Sequence, residues 1–185
     1  DAGYAALTAY RNRYRDFIES LRPLGVDPAT RLLVFQSQNI DAVDIRGVEF
    51  RGALRLGALH PALASLELNT ALAIARGRDD DTGAPVNSVD PPRGVLGIRH
   101  DAVDGRWNAE LIASFARRPT RVDDSAGPLF RPPGHVVFDL VGQYRATSWL
   151  RIDAGVYNLA DRRYWEWADV RGLPANDPAI ERFTR

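Results

Sequence analysis

WNAELIASFA, residues 107–116, puts Trp107, Ala109, Leu111, Ala113 and Phe115 at every second position. Asn108, Glu110 and Ser114 lie between them, with Ile112 as the one exception. A spacing of two sends successive side chains to opposite faces of an extended chain, so this segment reads as a strand with one apolar and one polar side. The pattern recurs. In VVFDLVGQYRA (136–146), Phe138, Leu140 and Tyr144 oppose Asp139, Gln143 and Arg145. In VEFRGALRLG (48–57), Val48, Phe50, Leu54 and Leu56 oppose Glu49, Arg51 and Arg55. Leu150, Ile152, Ala154 and Val156 oppose Arg151 and Asp153. Seven such segments are predicted, over 3–19, 32–58, 66–77, 94–101, 106–117, 135–146 and 149–159. The second is long enough to bend near Asn39 or Gly47. In the first, YRNRYRDF (10–17) loses the simple alternation and is expected to hold a bulge. No helical pattern of comparable quality occurs, so the fold class is all-β.

The connections are sorted by length. LRPLGVDPAT, RDDDTGAPVNSVDPP and RPTRVDDSAGPLFRPP are long, and they alternate with the shorter ALHPALAS, AVDG and TS. Another irregular stretch begins after residue 160. If the strands run up and down, the long loops gather at one end and the short turns at the other. Outer-membrane β-barrels have this asymmetry. Most segments also exceed the roughly 9 to 11 residues that a tilted strand needs to cross a bilayer; 94–101 is shorter. Glu49, Arg51, Arg55, Asp139, Arg145, Arg151 and Asp153 would be costly in a dry core but not against a water-filled lumen. The opposite, apolar face would then meet lipid, where a closed barrel gives each strand edge a partner. Seven strands do not close a barrel of this kind, so the chain is expected to be incomplete at both ends.

Composition narrows the classes further. The formal net charge is zero, which gives no overall attraction to nucleic acid. All 24 basic residues are Arg, and there is neither Cys nor Met. Lack of Cys excludes a disulfide framework, a thiolate metal site and a Cys nucleophile. No apolar stretch has the length of a membrane-spanning helix. Neither G-x-S-x-G, nor H-E-x-x-H, nor a glycine-rich phosphate loop occurs, so nothing points to an enzyme.

Three ordered segments carry a family resemblance. GVYNLADRRYWEW contains Gly155, Val156, Asn158, Leu159, Asp161 and Tyr164 in a pattern close to G-V-x-N-L-x-D-x-x-Y. FQSQNIDAVDIRGVEFRGAL sets Asn39 ahead of Gly47, Val48 and Glu49. TGAPVNSVDPPRGVLGIRHD reads as an outer loop descending through a Pro-containing turn into a strand. Together these resemble TonB-dependent outer-membrane receptors over essentially the whole chain, 1–185. The extension YWEWADVRGL, with YRNRYRDFIE near the start, is most similar to the haem and haemoglobin branch.

The resemblance implies an antiparallel up-and-down transmembrane barrel of about 22 strands, filled by a plug and driven by the inner-membrane TonB complex. The chain would then be about the last third of that barrel, with the plug, the earlier strands and the final strand outside it. It implies location in the outer membrane of a Gram-negative bacterium. The partners implied are the lipid bilayer, the TonB complex through the plug, and a haemoprotein or siderophore ligand. No cofactor is expected in this segment; haem, or a ferric siderophore, would be cargo. Two other classes fit the pattern of residues: a small outer-membrane barrel with enzymatic or adhesive activity, and a soluble β-sandwich that buries Leu111, Phe138, Leu140 and Ile152.

Among single residues, Tyr164, Trp165 and Trp167 admit two readings. They could form an aromatic girdle or local loop packing at the membrane rim. Alternatively, with Arg162 and Arg171, they could contact a planar anionic ligand or a protein partner by stacking and charge pairing. His60 and His100 fall near the short turns, and His135 falls near the outer rim, read either as an iron ligand or as an ordinary strand-start residue. Asp79, Asp80 and Asp81 lack the spacing of a calcium loop, as do Asp123 and Asp124, and read as solvated loop charge.

Overall fold

The computed structural model describes residues 2–31 and 33–185. Asp1 and Leu32, the latter placed at the start of the second predicted strand, lie outside the described residues. The strands are β1 (Gly3–Val26), β2 (Leu33–Arg55), β3 (Leu66–Asp79), β4 (Arg93–Asp101), β5 (Trp107–Ala116), β6 (His135–Arg145) and β7 (Arg151–Val156). They form one antiparallel sheet in the order β1-β2-β3-β4-β5-β6-β7. Each strand therefore pairs with its sequence neighbours, and β1 and β7 are the edges of an open sheet.

Register converts the alternation into two continuous faces. Leu7 pairs with Phe50, Phe50 with Leu72, Leu72 with Gly94, Gly94 with Phe115 and Phe115 with Val136. Ile98, Leu111, Leu140 and Val156 form a second such row. This apolar face is left open: Leu7 is 72% exposed and Val156 56%. The face that a soluble sandwich would bury is thus uncovered, and among the described residues no second sheet packs on it. Among the described residues, every buried apolar side chain except Val137 lies instead at the end of the sheet that carries the long loops.

β1 is longer than the predicted 3–19, and β2 is slightly shorter than the predicted 32–58. The predicted loop 21–30 is largely strand, and the hairpin closes only at Asp27, whose carboxylate accepts from the amides of Ala29 (2.7 Å) and Thr30 (3.4 Å). Those amide bonds, Ala29 foremost, hold the Asp27 carboxyl below its ordinary range. The irregularity expected in YRNRYRDF falls at Asp16, which has φ 53. Pairing stays in step across it, from Arg15 with Ala42 to Phe17 with Ile40. The facing of the side chains inverts, however. Tyr14 touches Phe17 (5.7 Å between ring centres), and Ile40 shares a cluster with Val43, at separations of three that a regular strand sends to opposite sides. Register shifts follow further out, between Glu19 and Arg22 and between Pro23 and Gly25. In β2 the inversion lies next to Asn39, while Gly47 sits in unbroken register opposite Tyr10. The Tyr10 ring occupies the space a Gly47 side chain would need, which accounts for glycine there.

Just beyond the apolar rows, Asp44 is buried and takes three guanidinium groups. It accepts from Arg11 Nε (2.7 Å) and Arg46 Nε (2.9 Å), and Arg13 lies at 3.6 Å. Removing a carboxylate that three cations share leaves them facing one another. Asp44→Asn is therefore expected to raise hydrogen exchange of the β1 amides from Arg11 to Phe17 about tenfold or more, with the apolar band still protected. Mass-spectrometric exchange on the folded protein checks this.

Candidate functional site

The three long connections do not splay apart. Residues 80–92, 117–134 and 157–185 pack on one another and on the outer ends of β1–β3. Gly77 lets the first loop lie on β3, because Val86 and Val89 fill the space where a side chain at 77 would stand. Val86 joins Ile40 and Val43 in a small core flanked by Phe17, Ile45 and Val89. Ser88 N donates to Glu19 Oε1 (2.9 Å), tying the loop to β1. Asn87 is the central tie. Its amide donates to the Asp123 carbonyl (2.9 Å), its oxygen accepts from Asp123 N (2.8 Å), and its own carbonyl accepts from Trp167 Nε1 (2.9 Å).

The signature in the last stretch now has a physical account. Asn158 and Asp161 adopt φ 51 and φ 46, left-handed values that Asn and Asp tolerate better than most residues. Asn158 N donates to Asp139 Oδ1 (2.7 Å), fixing the turn to β6. The Asn158 side chain then closes the turn in both directions, donating to the Arg162 carbonyl (3.0 Å) and accepting from Arg162 N (2.8 Å). β7 consequently stops at Val156, short of the predicted 159. Beyond the turn the chain runs through Tyr164 into a single helical turn, α1 (Trp167–Val170). It bridges to the second loop at Leu129 and Pro174, and returns so that Tyr164 and Arg185 exchange backbone bonds (3.2 and 2.9 Å).

Of the five residues singled out from the sequence, two pack inside this cap. Trp167 is 4% exposed, in a core with Val122, Leu129 and Val170. Trp165 packs edge-on against Phe130 (5.6 Å) and donates to the Ile180 carbonyl (3.0 Å). Their geometry is that of loop packing, and neither ring lies along the apolar band. Arg162 is exposed. Tyr164 is half-buried, with its ring over His135 (4.5 Å). Arg171 borders a cleft with Glu19, Asp79, Asn87, Asp123 and Asp124, and among the described residues its buried Nε has no hydrogen-bond partner.

His135, placed near the outer rim by the sequence, has partners the sequence did not show. Beyond its stack with Tyr164, Nε2 lies 3.7 Å from Glu166, on the polar face with Glu49, Arg51 and Arg93. No short-range motif could have revealed this meeting, because the residues are 29 and more positions apart. His60 accepts from Ala62 N (3.2 Å), and His100 stacks on Trp107 (4.8 Å), both at the short-turn end. Asp79 Oδ1 accepts from Asp81 N (2.8 Å) and Thr82 N (3.1 Å), closing a turn. Among the described residues, no group of three His, Asp or Glu side chains is arranged to hold a metal ion.

Residues 1–159 match the family described as TonB dependent receptor-like, beta-barrel. The chain belongs to the TonB-dependent receptor β-barrel family. It is 26% identical, over 94% of its own length, to the probable hemoglobin and hemoglobin-haptoglobin-binding protein 4 of Haemophilus influenzae. It is 26% identical, over 93% of its length, to the hemoglobin-haptoglobin utilization protein B of Neisseria meningitidis. It spans only 19% and 24% of those two proteins. Among solved structures it resembles the copper transporter OprC, with a TM-score of 0.75 at 22% identity, covering 91% of this chain and 24% of that one. It also resembles the ferric enterobactin receptor PfeA of Pseudomonas aeruginosa, with a TM-score of 0.64 at 24% identity, over 89% and 24% of the two chains. At these identities the structural likeness concerns the fold of TonB-dependent receptor barrels.

Two substitutions test the cap. Asn158→Ala removes two hydrogen bonds and a residue suited to positive φ, and is expected to cost about 2 kcal/mol. Trp167→Ala is expected to cost about 3 to 5 kcal/mol within the cap. Both should expose 80–92 and 157–185 to protease while the barrel keeps its folded mobility on unheated gels.

Proposed function

We propose that this chain forms part of the wall and outer loops of an outer-membrane receptor that takes up an iron-bearing compound, with haem taken from haemoglobin as the cargo. The observation carrying the reading is the likeness, over 93–94% of the chain, to proteins named for binding haemoglobin. Solved structures do not choose the cargo, since the proteins they show are named for copper, ferric citrate and ferric enterobactin. In this reading the apolar face meets lipid and the polar face meets the lumen and the plug, through which the TonB complex supplies energy. A ferric siderophore is the alternative cargo of the same fold.

The cap supplies the capturing surface. Arg162 and Tyr164 stand at its rim, and Arg171 borders the adjoining acid-lined cleft, where it is the cationic group a partner would meet. Trp165 and Trp167 act by holding the loops that present these groups.

The test is growth of a haem-synthesis mutant carrying the full-length receptor as its only haem receptor. Growth on haemoglobin that disappears when TonB is deleted is the expected result. Growth on a ferric siderophore alone, with no use of haemoglobin, would reverse the choice of cargo. Arg162→Ala combined with Arg171→Ala is expected to weaken haemoglobin binding by about tenfold or more, measured on whole cells. The lipid-facing assignment has its own check. Leu111→Arg should cost about 2 to 4 kcal/mol in a bilayer-reconstituted unfolding titration, while Ser114→Arg, on the polar face, should cost far less.

A further inference from the structure

β3 runs further out than its neighbour. Its pairing with β4 ends at Ala73 opposite Arg93, yet β3 continues to Asp79. The first long loop returns beside Gly77 and Arg78 and then swings away before β4 begins, which leaves a groove along Ile74, Ala75 and Arg76. The second long loop joins it there, with Arg117 N donating to the Pro92 carbonyl (2.8 Å). Buried Pro119 and Val122 anchor the stretch RRPTRV, so that Arg117, Arg118 and Arg121 line the groove together with Arg76. These four side chains are exposed, and among the described residues none of them has an ion pair. Arg46, across the β2–β3 pair from Arg76, is by contrast bound to Asp44 (2.9 Å). Asp90, the acid lining the groove, is already paired with Arg93 (3.1 Å). The walls between the arginines are apolar and fixed. Val86 is held in the core with Ile40 and Val43, Val89 packs against that core, and Pro91 and Pro92 stiffen the return to β4. The open space is about 740 Å³, the size of a small-molecule site.

We propose that this groove binds a small molecule that joins an apolar body to two or more carboxylates, and that it holds haem by its propionate groups before the cargo enters the lumen. The inference rests on the uptake reading given above and adds to it where the carboxylates go. Three features favour this ligand chemistry. Guanidinium forks match carboxylates two bonds at a time and also stack on flat conjugated rings. Four cations gathered without a counter-charge repel one another, and a ligand bearing two carboxylates relieves that repulsion in one binding event. A free inorganic anion would do the same for the charges but would leave Ile74, Val86 and Val89 against water, whereas an apolar body covers them. Because core packing, the Arg117 tie and the prolines set the walls in advance, little ordering is required when the ligand arrives.

The experiment uses the full-length receptor in detergent, with haem and its dimethyl ester as the two probes and the Soret band as the readout. The ester keeps the ring and the iron and loses both carboxylates. Arg76→Gln, Arg117→Gln and Arg118→Gln together are expected to weaken haem binding about tenfold or more, and to leave the affinity for the ester within about twofold. Unchanged haem affinity in the triple variant overturns the proposal. An equal loss for haem and ester overturns it too, since that would mark a merely structural role. Should the triple variant fail to fold, phenylglyoxal labelling of the unaltered receptor decides. Haem, and not the ester, is expected to shield Arg76, Arg117, Arg118 and Arg121 from the reagent; labelling indifferent to haem overturns the assignment. A receptor that neither binds haem nor supports growth on haemoglobin sinks the cargo reading and this inference with it. One that supports such growth, with the triple variant binding haem as before, sinks only the inference.

Discussion

A sheet whose two faces meet different media is governed by register, because one residue of slip would turn every side chain to the wrong side. From Leu7 through Phe50, Leu72 and Phe115 to Val136, the pairing holds apolar with apolar across six strands without a shift. The irregularities are all confined to the outer part of the first hairpin, beyond the row of Arg11, Arg46 and Arg76. There the facing constraint is relaxed, and the strand can invert at Asp16. The inversion turns Phe17 and Ile40 inward, where they join the core under the 80–92 loop. A change of medium along the strand thus permits a change of facing.

The interior of this chain lies among its loops and outer strand ends. Trp167 and Val170 are more completely buried than any side chain of the apolar band, and the Asn87 ties join three segments far apart in sequence. Loops built this way carry their own satisfied polar groups, which irregular backbone needs when it is buried. Their conformation is consequently held by contacts within the chain itself.

The strands were legible in the sequence because each obeys one short-range rule, and the rule fails only where the physics changes. Tyr14 and Phe17 break the alternation in YRNRYRDF, and the backbone there does invert. What escaped was length: Pro23 and Gly25 read as loop residues, yet they pair within a hairpin that tolerates shifts because it stands clear of the apolar band. The cap was the least legible part. Tyr164, Trp165 and Trp167 announced an aromatic concentration, but their partners Phe130, Ile180, Asn87 and His135 come from distant segments. Periodicity carries no information about such meetings. The G-V-x-N-L-x-D-x-x-Y pattern was recognisable as text, while its cause, a turn clasped in both directions by Asn158, required the fold.

Asn158 also explains how wall and cap communicate. Its amide is held by Asp139 of β6, and its side chain holds Arg162 at the start of the capping segment. The cap then closes on itself through Tyr164 and Arg185, with Arg185 paired to Asp169 (2.7 Å). It is tied to β1 through Ser88 and Glu19. A load on any one loop is thus shared by β1, β3 and β6 together, since none of the three loops can shift without breaking bonds in another. A cap made this way moves as a unit or not at all. Opening it would therefore require a cooperative step rather than the motion of a single hinge.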